Sequence, residues 1–282
     1  MTTVSPTADT PRLDPAAFRV SYPRQIAIMV KRSATHTRRM PEMLIDVTAQ
    51  PIVFVLLFAF VFGASITVPG GFDYRGWMLP GIIAQTIAFA AFIVATGITG
   101  DIEKGIIDRF RSLPIARSAV LVGRSVTGLA HESIAVVIVA ITGLIIGWRV
   151  NTDPLSGLAG FALVLLFGFA MVWVGILVGS VMRTAESVEG LLFASLFPFT
   201  FLANSFVPTE PMPSWIRAIA EWNPVSSLVQ SLRELWGNGG LAPADAQLPL
   251  HYPILSILLW SALIIAVFAP LSLRAYYRRT ER

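Results

Sequence analysis

One carboxylate stands inside an otherwise apolar stretch. Glu132, preceded by His131, lies about seven residues into the run from Ser125 to Trp148, roughly 10 Å deep at 1.5 Å per helical residue. A carboxylate at that depth is costly, so it must face other helices or a wet cavity. Two roles fit it: a group on the path of a substrate or proton, or a structural hydrogen-bonding group, snorkelling included. A proton relay needs a series of such groups, and the apolar runs offer a single acid, which favours the structural role. Catalytic constellations are missing. There is no G-x-x-x-x-G-K-[ST] loop to cradle ATP phosphates and no G-x-S-x-G or H-E-x-x-H motif. The absence of cysteine removes disulfides, thiolate metal sites and cysteine nucleophiles. His36, His131 and His251 are too far apart in sequence to suggest a metal centre. The chain therefore reads as non-catalytic and without a cofactor of its own. If ATP drives it, another chain must bind the ATP and its magnesium.

A second constellation is amphipathic rather than buried. Residues 100 to 124 read GDIEKGIIDRFRSLPIARSAVLVGR. Ile102, Ile106, Ile107 and Phe110 recur at helical spacing, opposite Asp101, Glu103, Lys104, Asp108, Arg109 and Arg111, and Leu113-Pro114 ends the pattern. Such a helix suits docking of a soluble partner, its charges setting register and its apolar knobs filling a groove. A helix lying on the anionic inner leaflet has the same composition. Gln85, Asn204 and Ser205 are uncharged polar groups at or near membrane depth, and Phe89, Phe92, Phe193, Phe197, Phe199 and Phe201 could line an apolar pocket or face lipid.

The elements that position these groups are membrane spans. Of 282 residues, 55% are hydrophobic and 13% charged, against roughly a quarter charged in soluble domains. A span needs about 20 mostly apolar residues, and six stretches qualify: 47–67, 77–99, 125–148, 156–182, 190–207 and 252–273. Gly143–Gly147 and Gly175–Gly179 have the small-x-x-x-small spacing that lets helices approach closely. Residues 1–15 are polar, proline-bearing and lack a signal-peptide apolar core, so they read as a disordered tail. Residues 16–40 carry Tyr22, Ile26, Met29 and Val30 among five basic residues from Arg24 to Arg39, the pattern of an interfacial amphipathic helix that Pro41 would break.

The stretch from Val207 to Trp236 tempts a seventh span. Arg217, Glu221, Arg233 and Glu234 argue against it, at about 2.5–3.5 kcal/mol per buried charge, and Pro224 splits it into pieces too short to cross. It reads as two short helices at the interface, the first with Trp215, Ile219 and Trp222 on one face. With six spans and both termini inside, 17 of the 21 Lys and Arg residues fall on the cytoplasmic side, leaving Arg75, Arg149, Arg217 and Arg233 outside. That is a strong positive-inside bias, and the basic excess reports topology rather than nucleic-acid binding.

The segment EKGIIDRFRSLPIARSAVLVGR resembles the inner loop of the ATP-binding-cassette type-2 permeases, in particular the daunorubicin-resistance exporter permeases. The resemblance continues in QPIVFVLLFAFVFG from Gln50, WMLPGIIAQT from Trp77, and LLFASLFPFTFLANSFVPTEPMPSWIRAIAEWNPVSSLVQSLREL from Leu191, covering nearly all of the chain from about residue 20.

The resemblance implies an all-α polytopic permease in a bacterial inner membrane, with an N-terminal interfacial helix, six spans, a coupling helix between spans two and three, and short re-entrant helices between spans five and six. It implies two permease chains, expected as a homodimer, with two copies of a separate P-loop ATPase. The coupling contacts would then be Asp101, Glu103, Lys104, Asp108, Arg109, Phe110, Arg111 and Pro114. Spans two and five tend to line the route in relatives, which directs attention to Gln85, Phe89, Phe92, Phe197 and Asn204, beside Glu132. The expected cargo is a hydrophobic or amphipathic, drug-like compound; related permeases also export lipids and polysaccharides. An ATP-independent carrier or channel would want more intramembrane charge.

Overall fold

The structure, a computed structural model, describes residues 21–39, 41–63, 66, 68–105 and 117–280. Helix α1 (Tyr22–Arg39) is followed by α2 (Pro41–Leu57), which starts on a proline whose missing N–H costs nothing in a first turn. A wider helical turn continues α2 through Phe58–Phe62. Gly70 and Gly71, at φ +79° and +71°, then reverse the chain. Asp73 caps α3 (Tyr74–Glu103) by accepting from the Arg75 N–H. Gly105, at φ +62°, terminates it, donating its N–H to Ile102 O at 3.0 Å. Helix α4 (Arg117–Ile146) ends at Gly147, φ +107°. Asp153 and Pro154 start α5 (Pro154–Val181), and Thr184 caps α6 (Ala185–Phe201). Two short helices, α7 (Ser214–Trp222) and α8 (Pro224–Trp236), meet at Asn223, and a single turn, α9 (Leu248–His251), precedes α10 (Pro253–Thr280). No strand occurs among the described residues.

Among the described residues, four helices are long and apolar enough to cross a membrane, at Tyr74–Glu103, Val120–Ile146, Pro154–Val181 and Pro253–Arg279. They coincide with the expected spans 77–99, 125–148, 156–182 and 252–273. The expected spans 47–67 and 190–207 fall on α2 with its wide turn and on α6. Helix α6 has 17 residues, about 25 Å at 1.5 Å each. It begins earlier than its apolar run, because Thr184 caps it through the Ser187 N–H, and ends earlier, because residues 202–206 leave the helix to bond elsewhere. The amphipathic loop helix also differs in register. Asp101–Glu103 form the last turn of α3, while Asp108, Arg109, Phe110, Arg111 and Pro114 lie outside the described residues, as do residues 1–20. Helix α1 runs beside α4, with Ile26 and Val30 half-buried one turn apart.

Helices α3 and α5 form the central pair, and glycine sets their separation. A Cβ at Gly175 would sit 2.5 Å from Ala91 O, and one at Gly179 2.4 Å from Ala95 O. Thr99 Oγ1 donates to Gly179 O at 3.0 Å across the same contact. The other glycine pair divides its work: Gly143 admits Leu79, while Gly147 has open space and serves as a helix end. One end of the bundle gathers Lys104, Arg183, Arg274 and Arg278, with Arg124 3.6 Å from Asp101. Arg279 donates to the carbonyls of Gly179, Ser180 and Met182, capping the negative end of α5. The opposite end holds the turns around residues 68–73 and 147–153 and the whole of 202–252.

A side chain at Gly179 must displace a helix backbone, so Gly179→Val should lower stability by about 1–3 kcal/mol. Gly190→Ala, with open space around its Cβ position inside α6, should not lower stability and should raise it by up to about 1 kcal/mol. Thermal unfolding of both variants in one detergent checks this.

Candidate functional site

The end of the bundle rich in turns is built around a helix that is buried nearly all round. Helix α8 starts at Pro224, where Asn223 Oδ1 accepts the Val225 N–H at 2.8 Å while its Nδ2 donates to Phe199 O at 2.6 Å. One residue thus caps α8 and takes up a carbonyl from the last turn of α6. Arg233, on the third turn of α8, is buried. Its Nε donates to Trp77 O at 3.0 Å, and its Nη2 to Asn204 O at 2.7 Å and Ser205 O at 3.4 Å. The guanidinium carbon lies 3.4 Å from the centroid of the Trp77 ring. Among the described residues no carboxylate lies within ion-pair distance of it. The cation is solvated by backbone carbonyls and an indole face, and its planar fork reaches α3 and the 202–206 loop together. Gly81 completes that junction: a Cβ there would sit 2.3 Å from Ser205 O.

Further bonds fix α8 to the remaining helices. Trp236 Nε1 donates to Gly157 O at 3.1 Å, Trp148 Nε1 to Asn238 Oδ1 at 2.6 Å, and Asn238 Nδ2 to Arg149 O at 2.8 Å. Helix α7 turns Trp215, Ile219 and Trp222 outward and its charges inward. Glu221, fully buried, accepts from Arg217 Nε at 2.6 Å, Thr209 Oγ1 at 3.0 Å and the Gln247 N–H at 2.7 Å. Arg217 Nη1 reaches Asp245 Oδ2 at 2.7 Å. The hydrogen bonds to Asp245 and Glu221 raise the Arg217 pKa above its ordinary value, and the same bond from Arg217 holds the Asp245 carboxyl below the usual range.

The residues singled out from sequence sort into separate places. Gln85, Phe89 and Phe92 share one face of α3 at i, i+4 and i+7, the two phenylalanine rings stacked at 5.6 Å. Gln85 is buried, with Nε2 lacking a partner. Asn204 lies beyond the end of α6, its carbonyl engaged by Arg233 and its N–H donating to Ser226 Oγ at 3.0 Å. Phe197 belongs to a chain of ring contacts along α6. Glu132 is apart from all of these. It is buried on α4 with both oxygens unpartnered, in the space left by Gly168, where a Cβ would lie 2.5 Å from Oε2. Asp101, the first of the expected coupling residues, pairs with Arg124; Glu103 and Lys104 close α3 beside it. Among the described residues no three His, Asp or Glu side chains gather to hold a metal ion. Arg233 and Asn223 are the residues that sequence reasoning missed. Their signal was an arginine and an Asn-Pro step inside an apolar stretch.

Arg233→Lys keeps the charge and loses the fork, leaving carbonyls of Trp77, Asn204 or Ser205 unpaired. The expected loss is about 1.5–3 kcal/mol for each charged hydrogen bond removed, read as a lower unfolding temperature in detergent. Asp245, with its folded pKa depressed, stabilises the fold above its unfolded value near 3.8, and that contribution disappears as pH falls through the folded value. Unfolding temperature should therefore carry no Asp245 step between about pH 5 and 8. Asp245→Asn should abolish a step seen only below that range.

The family profile described as "ABC-2 type transporter" matches residues 24–235. A daunorubicin resistance ABC transporter permease protein (DrrB1) of Streptomyces coeruleorubidus is 31% identical over 240 residues, covering 85% of this chain and 81% of that protein. A doxorubicin resistance ABC transporter permease protein (DrrB) of Mycobacterium tuberculosis is 27% identical over 258 residues, 88% of each chain. A putative transport permease, ycf38, of Cyanophora paradoxa is 22% identical over 248 residues, 86% of this chain and 84% of that one. The profile runs from α1 to α8 and includes the loop between α3 and α4, so the chain belongs to the ABC-2 type transporter family, as a membrane-embedded permease.

Proposed function

We propose that this chain is the transmembrane, non-catalytic subunit of an ATP-driven exporter, moving a hydrophobic or amphipathic drug-like compound outward with energy from a separate ATPase. The observation that carries this reading is the family match from residue 24 to 235, which spans the α3–α4 loop together with the helices flanking it. Two relatives named for daunorubicin and doxorubicin resistance support the cargo class. In the full assembly two such chains pair with two ATPase chains, which bind ATP and magnesium. Helix α2 and helix α6 act as the first and fifth of six spans. The end bearing Lys104, Arg124, Arg183 and the C-terminal arginines faces the cytoplasm, because basic residues concentrate there. The home of the assembly is the bacterial inner membrane.

In this mechanism the chain's own residues transmit motion. The ATPase docks on Asp101 to Pro114, with Glu103, Asp108, Arg109 and Arg111 making the polar contacts, and on α1. Displacement of that segment moves α3, to which it is covalently joined. At its far end α3 is pinned to the 202–206 loop by Arg233 and by the Gly81–Ser205 backbone contact. A push at one end therefore reaches α6 at the other. Nucleotide shifts this equilibrium only by preferring one of the two states of the ATPase pair.

Asp108→Arg combined with Arg109→Asp should reduce co-purification of the ATPase at least tenfold and abolish transport, with the chain still inserted in the membrane. Unchanged recovery of the ATPase by the double variant would contradict the assigned contact.

A further inference from the structure

Arg124 of α4 packs its guanidinium directly on Gly97 of α3. A Cβ at Gly97 would overlap that group, meeting Cζ at 2.6 Å and Nε at 3.4 Å. From this seat Arg124 Nη1 reaches Asp101 Oδ2 at 3.6 Å, one turn further along the same face of α3. Both side chains are mostly covered, at 26% and 28% exposure. The contact lies at one level on both helices. Gly97 is six residues before the end of α3 at Glu103, and Arg124 seven residues after the start of α4 at Arg117. Either helix end is thus about 10 Å away at 1.5 Å per residue. These two helices are the stems of the α3–α4 loop, on which the ATPase docks in the reading above.

Around the contact the stems meet through apolar surface. Leu121 of α4 is buried with Val94 and Ile98 of α3, in a cluster shared with Val172 and Ile176 of α5 and Tyr276 of α10. Apolar contacts bring helices together without direction. A planar guanidinium laid over a glycine and aimed at a carboxylate supplies direction, and sets the register of α4 against α3. Gly97 makes the seat possible. A side chain there would turn Arg124 away at small cost, because the displaced atoms are the free end of a flexible chain. An ion pair this exposed adds little to stability, so its contribution is positional. Two residues on, Thr99 Oγ1 donates to Gly179 O, a carbonyl that also accepts from Arg279. The stems are thereby joined to α5 and α10 at the same end of the bundle.

We propose that Arg124, seated on Gly97 and paired with Asp101, is a positioning residue that holds the two stems in register, so that displacement of the loop moves α3 and α4 as one body. The proposal rests on the export reading above and deepens it by naming residues that convert docking into movement of the spans. The test reconstitutes the complete complex with its ATPase in proteoliposomes and follows ATP-driven movement of daunorubicin as the probe. The quantity read is drug moved per ATP hydrolysed, a ratio that loss of folded protein does not change. Arg124→Gln and Gly97→Ala should each lower this ratio about fivefold. Recovery of the ATPase and basal hydrolysis should stay unchanged, and the unfolding temperature should not fall. Gly100→Ala, three residues further along α3 with open space at its Cβ position, should leave the ratio as it was. Unchanged ratios in Arg124→Gln and Gly97→Ala would overturn the positioning role alone. Loss of the ATPase or of thermal stability in the same two variants would also overturn it, since the contact would then serve docking or folding. An unsubstituted complex that hydrolyses ATP but moves no daunorubicin would overturn the drug-export reading, and the positioning role with it.

Discussion

The constraint on which this architecture depends is the satisfaction of backbone carbonyls where the chain leaves helical geometry close to membrane depth. Irregular backbone at such depth persists where it is buried in protein groups that bind it. Residues 202–206 are such a segment. Arg233 binds Asn204 and Ser205 carbonyls, Ser226 accepts the Asn204 N–H, and Tyr74 donates to Phe206 O at 3.2 Å. Helix α8 is thus a polar insert that allows α6 to end at Phe201, and its burial follows from that duty. The insertion cost of Arg233 is offset by its carbonyl bonds and its position over Trp77.

Helix α3 is the element through which the two ends communicate. Its C-terminal half lies against α5 with backbone almost touching backbone at Ala91 and Ala95, and its last turn is tied to α4 by Asp101 and Arg124. Its N-terminal half is clasped by Arg233 and abuts the 202–206 loop at Gly81. A helix held this closely at both ends moves as a body rather than bending freely, although Pro80 removes one internal hydrogen bond just beside the outer clasp. Docking of an ATPase at one end, as proposed, acts through the two attachments of this single helix.

Much of the fold was legible in the residues because local rules agreed with the tertiary result. Pro224 divided two short helices, the tryptophans of α7 faced outward, and Gly175 and Gly179 marked a close helix contact. What escaped was tertiary in origin. The limits of α6 depend on a cap at Thr184 and on bonds from the 202–206 loop to α8, neither of which apolarity reports. Gly147 shared a spacing with Gly143 yet ends a helix, since spacing cannot distinguish a packing glycine from a positive-φ one. Arg233 was visible only as a charge that forbids a span. Its role required knowing which carbonyls came within its reach. Of the expected route residues, Glu132 is enclosed among α3, α4 and α5.

The natural absence of cysteine permits a direct test of the end-to-end coupling. Spin labels on Phe72→Cys and Val207→Cys, exposed positions flanking the outer ends of α3 and α6, would report their separation in the assembled complex. Trapping the ATPase in its nucleotide-bound state should change that distance distribution. A distribution identical in the trapped and nucleotide-free complexes, with ATP hydrolysis intact, would contradict the coupling.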